Sequence, residues 1–124
     1  MRGITWKLGL GTAVSAVLLL ASPAYASGSV VSADNAAKTE FTSDDEKLTV
    51  CDLKGDGHSA VGMINTQDLG GTKLRWNPNG AGTCKTWDFN FTEGDDVSYA
   101  ACTGEFGTKT VRASSCHWRY GDTA

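Results

Sequence analysis

Residues 84–103 read CKTWDFNFTEGDDVSYAACT, and the way this stretch alternates decides the fold class. Trp87, Phe89 and Phe91 fall on one face of an extended chain and Thr86, Asp88 and Asn90 on the other, the period of two that marks a half-buried strand. Val97, Tyr99 and Ala101 continue the apolar face after Thr92-Glu93-Gly94. That link suits a type I turn closed by a glycine in the left-handed conformation. The simplest expectation is a hairpin with Phe89 opposite Val97 and Trp87 opposite Tyr99, each pair adding ~0.2–1 kcal/mol. The Asn90-Phe91-Thr92 sequon would then lie in a strand, which argues against glycosylation there.

Carried outward, this register sets Cys84 opposite Cys102, and Cys51–Cys116 is left to tie the first core strand to the chain end. Four cysteines allow three connectivities. In the sequential alternative, Cys51–Cys84 with Cys102–Cys116, a tight turn at Gly104–Gly107 puts Cys116 seven residues beyond the partner of Cys102, roughly 23 Å at ~3.3 Å per residue. Only a bent 104–115 segment would bring them together.

The surrounding sequence repeats the pattern of short β-prone runs broken by Gly, Asn and Asp. KLTVCDL (47–53), HSAVGMIN (58–65), TKLRW (72–76), TKTVRAS (108–114) and the tail CHWRY are separated by KGDG, DLGG, NPNGAG and GEFG. No stretch after residue 26 has helical periodicity. The expectation is an all-β domain over residues 47–124, a small antiparallel sandwich or barrel of six to seven strands with two disulfides. Without residues 1–26 the chain has 98 residues, enough for one domain near the lower end of what a single core supports without staples.

The amino-terminal part reads differently. Residues 1–26 combine Arg2 and Lys7, an uncharged run of about 13 residues, Pro23, and Ala24-Tyr25-Ala26, the layout of a cleaved signal peptide. The run is short of the ~20 residues that span a bilayer. Residues 27–46, SGSVVSADNAAKTEFTSDDE, offer only Val30, Val31 and Phe41 for burial and are expected to be flexible, or at most to add one edge strand.

Cleavage would leave nine basic residues against 14 acidic ones, a formal charge of −5. An acidic chain without a basic cluster points away from nucleic acid and from anionic membrane surfaces. All four cysteines lie in the exported part, where an oxidising environment lets disulfides persist. Their spacing lacks the short Cys/His pairs of a zinc site, so no metal or other cofactor is expected.

CDLKGDGHS (51–59) brings Asp52, Asp56, His58 and Ser59 close in sequence. A calcium loop would need its alternating Asp/Asn ligands and closing Glu, and a Ser-His-Asp hydrolase a nucleophile context such as G-x-S-x-G; neither is present. A hairpin turn between two β runs, with Gly55 and Gly57 free to take positive φ and Asp56 bonding its own backbone, accounts for the stretch. No enzyme is expected. The candidate binding residues are instead Trp76, at a strand end before NPNG, and Trp118, Arg119 and Tyr120 after the last cysteine. Trp, Arg and Tyr are enriched at binding hot spots.

That Trp118-Arg119-Tyr120 triplet resembles the inhibitory motif of the tendamistat-type α-amylase inhibitors, small secreted all-β actinobacterial proteins with two disulfides. In that family the triplet lies between the first and second cysteines, whereas here it follows the fourth. The resemblance implies that Trp118 and Tyr120 would pack in an amylase cleft with Arg119 against its acidic groups. Over most of the mature chain, LTVCDLKGDGHSAVG and TEGDDVSYAAC look like the small four-cysteine secreted proteins of filamentous actinobacteria, which implies compartment and fold but no mechanism. The functional expectation is a secreted, monomeric, non-enzymatic binding or interaction module, its partner an extracellular protein or a glycan. The alternative is an inhibitor of a secreted hydrolase such as α-amylase.

Overall fold

The computed structural model describes residues 27–124; the expected signal peptide, residues 1–26, lies outside them. Nine strands follow in order: β1 (Gly28–Val31), β2 (Ala37–Thr42), β3 (Lys47–Asp52), β4 (Ser59–Thr66), β5 (Gly71–Asn77), β6 (Cys84–Asp88), β7 (Asp96–Glu105), β8 (Thr110–Val111) and β9 (His117–Thr123), with a 3-10 turn at Ala113–Ser115 before β9. They form two antiparallel sheets. The first has the order β1-β2-β3-β6, and the second β5-β4-β7 with β8 and β9 both pairing the far edge of β7.

Between the sheets lies one core. Phe41, Leu48 and Val50 come from the first sheet and Ala60, Ile64, Val97 and Tyr99 from the second, all essentially inaccessible. Gly62 lets the sheets approach closely: a Cβ there would stand 2.5 Å from Val50 Cγ2. The all-β sandwich follows the sequence expectation, with nine strands instead of six or seven.

Residues 27–46 are where the excess arises, and the expectation of a flexible segment is overturned. β2 is an interior strand, paired with β1 on one side and along six register positions with β3 on the other. Its alternation is regular, Ala37, Thr39 and Phe41 inward and Lys38 and Glu40 outward. Counting only large apolar residues missed the small ones, because Ala36, Ala37 and Thr39 are as fully buried as Phe41. The ladder satisfies backbone groups on both edges of β2, which a count of apolar side chains does not register.

The 84–103 hairpin does not form either. β6 pairs with β3, with Trp87 opposite Leu48, while β7 belongs to the other sheet. After Asp88 the chain is captured by the turn between β2 and β3: Phe89 N–H donates to Glu46 O at 2.9 Å and Phe91 N–H to the Glu46 carboxylate. Phe91 enters the core, stacked on Phe89 with centroids 5.0 Å apart. The expected turn is present, Asp95 N–H bonding Thr92 O and Gly94 at φ 85°, but it leads β7 to β4 and β9. The apolar alternation therefore assigned the right side chains to the core and the wrong strand to their partner. Asn90 is exposed beyond the end of β6, so strand position does not argue against its modification.

Both expected disulfides are replaced. The bridges are Cys51–Cys84 and Cys102–Cys116, with Cα separations of 4.0 and 4.2 Å. Cys51 faces Cys84 directly across β3 and β6. The second bridge is possible because the β7–β8 turn is at Phe106–Lys109, two residues later than supposed, and because Ala113–Ser115 inserts an extra turn of 3-10 helix. The inserted residues slide β9 along β7 until His117 faces Ala101, which sets Cys116 beside Cys102. This is the bent 104–115 segment that the sequential connectivity required.

Candidate functional site

The two sheets differ on their outer faces. On the first sheet the outward positions carry Lys38, Glu40, Lys47, Thr49 and Thr86, with a Lys38–Glu40 ion pair and a Thr49–Thr86 hydroxyl bond. On the second sheet they are largely apolar. Val61, Ala100 and Cys102 are buried on that side beneath Met63, Trp76, Val111, Cys116 and Trp118, forming a second cluster apart from the central core. β4 and β7 are thus apolar on both faces, although only one sheet packs against them.

The registers lay this face out in rows. Trp76 is beside Val61 and Val61 beside Cys102, which is bonded to Cys116. In the next row Leu74, Met63, Ala100 and Trp118 are adjacent, and in the third Thr72, Asn65 and Ser98, with Tyr120 completing it across a register shift in β9. Trp118 and Tyr120, alternate residues of β9, stack on each other with centroids 6.0 Å apart and planes 19° off parallel. Tyr120 is 69% exposed, the most exposed large apolar side chain among the described residues. At the opposite corner Trp76 meets Phe106 edge-on at 5.9 Å, with Lys109 Nζ 3.5 Å from the Phe106 centroid. Trp76 and Trp118, three strands apart, are separated by roughly 14 Å across the sheet. Beside the Trp118–Tyr120 stack lies an open depression of about 360 Å³, lined also by Asn65, Thr72 and Ser98.

Arg119 is on the other side of β9. Its Nε donates to Asp122 Oδ2 at 3.0 Å, and the same carboxylate accepts the Tyr99 hydroxyl at 2.5 Å. Burial first, and then the bond to Asp122, push the Tyr99 phenol well above its ordinary value. The hydrogen bond to Asp122 likewise raises the Arg119 guanidinium. The guanidinium rests on Gly28, where a Cβ would lie 2.5 Å from its central carbon. The structure therefore brings Trp76, Trp118 and Tyr120 to one face and turns Arg119 away from them.

The 51–59 stretch lies elsewhere. KGDG is a crossing from the first sheet to the second, not the hairpin turn expected of it. Asp56 caps the turn by accepting from His58 N–H at 3.1 Å, as expected. Asp52, His58 and Ser59 line one open depression of about 230 Å³, yet His58 Nδ1 pairs with Glu105, and no hydrogen bond among the described residues joins His58 to Asp52 or Ser59. Desolvation raises the Asp52 carboxyl, reinforced by the charge of Asp56 and opposed by its bond from Lys54 N–H. No group of three His, Cys, Asp or Glu side chains among the described residues is arranged to hold a metal ion.

Sequence reasoning missed Met63, Leu74, Phe106 and the polar row Asn65, Thr72 and Ser98. A signal was available in SAVGMIN and YAACTG, which are apolar at odd and even positions alike. Strands buried on both faces read that way. In a two-layer fold such strands imply a second cover, and here Trp76 and Trp118 supply it. No protein family, curated protein or solved structure matches the chain.

Proposed function

We propose that the protein is a secreted, monomeric, non-enzymatic binding module and that the outer face of the second sheet, from Trp76 to Tyr120, is where it binds. The observation that carries this reading is the gathering of Trp76, Leu74, Trp118 and Tyr120, from two distant stretches of sequence, on one exposed apolar face, while the opposite sheet presents charge to solvent. Exposed contiguous apolar patches mark interaction surfaces, and Trp and Tyr lead the residues that anchor them. Two disulfides accord with an oxidising environment, and no helix among the described residues is long and apolar enough to cross a membrane. Commitment of Arg119 to Asp122 favours a binding face built from the aromatics over an amylase inhibitor that presents all three residues of the triplet together.

The test is tryptophan fluorescence of residues 27–124 titrated with a panel of neutral oligosaccharides and with α-amylase, beside Tyr120→Ala and Leu74→Ser. Both substitutions are at exposed positions and leave the core intact. The expected result is a saturable change with at least one panel member that weakens about tenfold in Tyr120→Ala, a difference of ~1.4 kcal/mol. Binding that is unaltered in both variants, or no response to any panel member, would sink the reading.

A further inference from the structure

Within that face, we infer that the depression beside the Trp118–Tyr120 stack is a subsite for a neutral polysaccharide chain, an inference that rests on the face being a binding surface. Two chemically distinct rows meet there. Met63, Leu74 and Trp118 form the apolar row, and Thr72, Asn65 and Ser98 the polar one, with Tyr120 lining the same depression. A pyranose ring has the matching anatomy, with C–H groups on its faces and hydroxyls around its rim. The exposed ring of Tyr120 takes a sugar face, and the hydroxyls and amide of the polar row line the same depression.

The polar row is suited to hydroxyl partners. Asn65 donates to Thr72 Oγ1 at 2.8 Å, which fixes the amide and leaves its carbonyl oxygen and second N–H for a ligand. Ser98 is half-buried in the floor and adds a group that both donates and accepts. None of the five residues lining the depression is charged. Charge stands at the ends of the face, with Asp96 one row beyond Ser98 on β7 and Lys109 over Phe106. A neutral ligand can exchange water for the hydroxyl and amide partners of such a site, whereas an anionic sugar or an acidic peptide finds no counter-charge there. Its lining is two aromatic rings beside three hydroxyl or amide side chains, and its volume is at the small end of the ~300–1,000 Å³ range of small-ligand sites. The row crosses the strands, so the chain would lie across β5, β4, β7 and β9 and not along a groove between them.

Isothermal titration of residues 27–124 with cellohexaose and with maltohexaose decides the matter, with a galacturonic acid hexamer as the anionic control and sedimentation of the protein alone. Binding of either neutral hexamer is expected, lost at least about tenfold in Tyr120→Ala and about threefold or more in Asn65→Ala, with the anionic hexamer inert. Preference for cellohexaose assigns a flat β-linked chain and preference for maltohexaose a coiled α-linked one. If neither hexamer binds while α-amylase does so in a Tyr120-dependent way, the glycan inference is overturned and the binding face survives. A Tyr120-dependent dimer without sugar binding also overturns it, as does sugar binding that ignores both substitutions. Silence towards every probe removes the binding face together with the subsite.

Discussion

Tyr99 carries a hydroxyl into a core otherwise lined by Phe41, Ile64 and Val97, and Asp122 accepts its hydrogen bond at 2.5 Å. Asp122 is itself 95% buried and has Arg119 as its charge partner. Tyr99→Phe leaves a buried carboxylate with one donor fewer, and the expected loss is about 1–3 kcal/mol of unfolding free energy, read from urea denaturation. A loss under a few tenths of a kcal/mol would show that Arg119 alone satisfies Asp122. The core position of Tyr99 was legible from the alternation Val97, Tyr99, Ala101. Its partner was not, because Asp122 lies 23 residues on, past the register shift of β9. Alternate residues of a strand share a face, so Trp118 and Tyr120 fall together with Arg119 opposite them, but only the fold put Asp122 and Gly28 on the Arg119 side.

At the level of elements, the amino-terminal strands are held by a polar cluster around Asp34, in the turn between β1 and β2. Its carboxylate accepts from Ser32 Oγ at 2.5 Å, Thr103 Oγ1 of β7 at 2.6 Å and Arg112 at 3.0 Å, and Ala33 N–H reaches Ser115 O in the 3-10 turn. Partial burial raises the carboxyl, but the hydrogen bonds from Ser32, Thr103 and the Ala36 N–H outweigh it and bring Asp34 to about 2. A carboxylate lowered on folding contributes stability that is complete above its unfolded value near 3.8 and is lost as pH falls towards about 2. The unfolding free energy of the wild type, read from urea denaturation, should therefore fall more across this interval than that of Asp34→Asn, by on the order of 1 kcal/mol for a partly exposed group. Equal slopes would remove Asp34 as the clasp. The strands from KLTVCDL onward were legible because each alternates and is bounded by Gly, Asn or Asp. The hairpin failed because period two specifies which side chains share a core and is silent on which edge a strand joins; Glu46, far away in sequence, intercepts residues 89–91 and decides that.

Taken whole, the molecule is a small sandwich whose two bridges each lie within one sheet, Cys51–Cys84 tying β3 to β6 and Cys102–Cys116 tying β7 to the start of β9. Their sequence separations are 33 and 14 residues. On chain-entropy grounds the first contributes about 3.7 kcal/mol and the second about 3 kcal/mol. Replacing Cys51 and Cys84 together by serine should lower stability more than replacing Cys102 and Cys116, with peptide mapping of the wild type returning only these two pairs. A Cys84–Cys102 peptide would contradict the arrangement of the sheets. Composition, cysteine count and the period of two were enough to specify an all-β domain with two disulfides, because these depend on local geometry and on how much apolar surface a chain of this length can bury. Strand partners, disulfide connectivity, the folding of residues 27–46 and the meeting of Trp76 with Trp118 on one face rested on contacts between distant segments. Such contacts turn on which edge is free and what is already buried, and a single sequence read locally does not contain either.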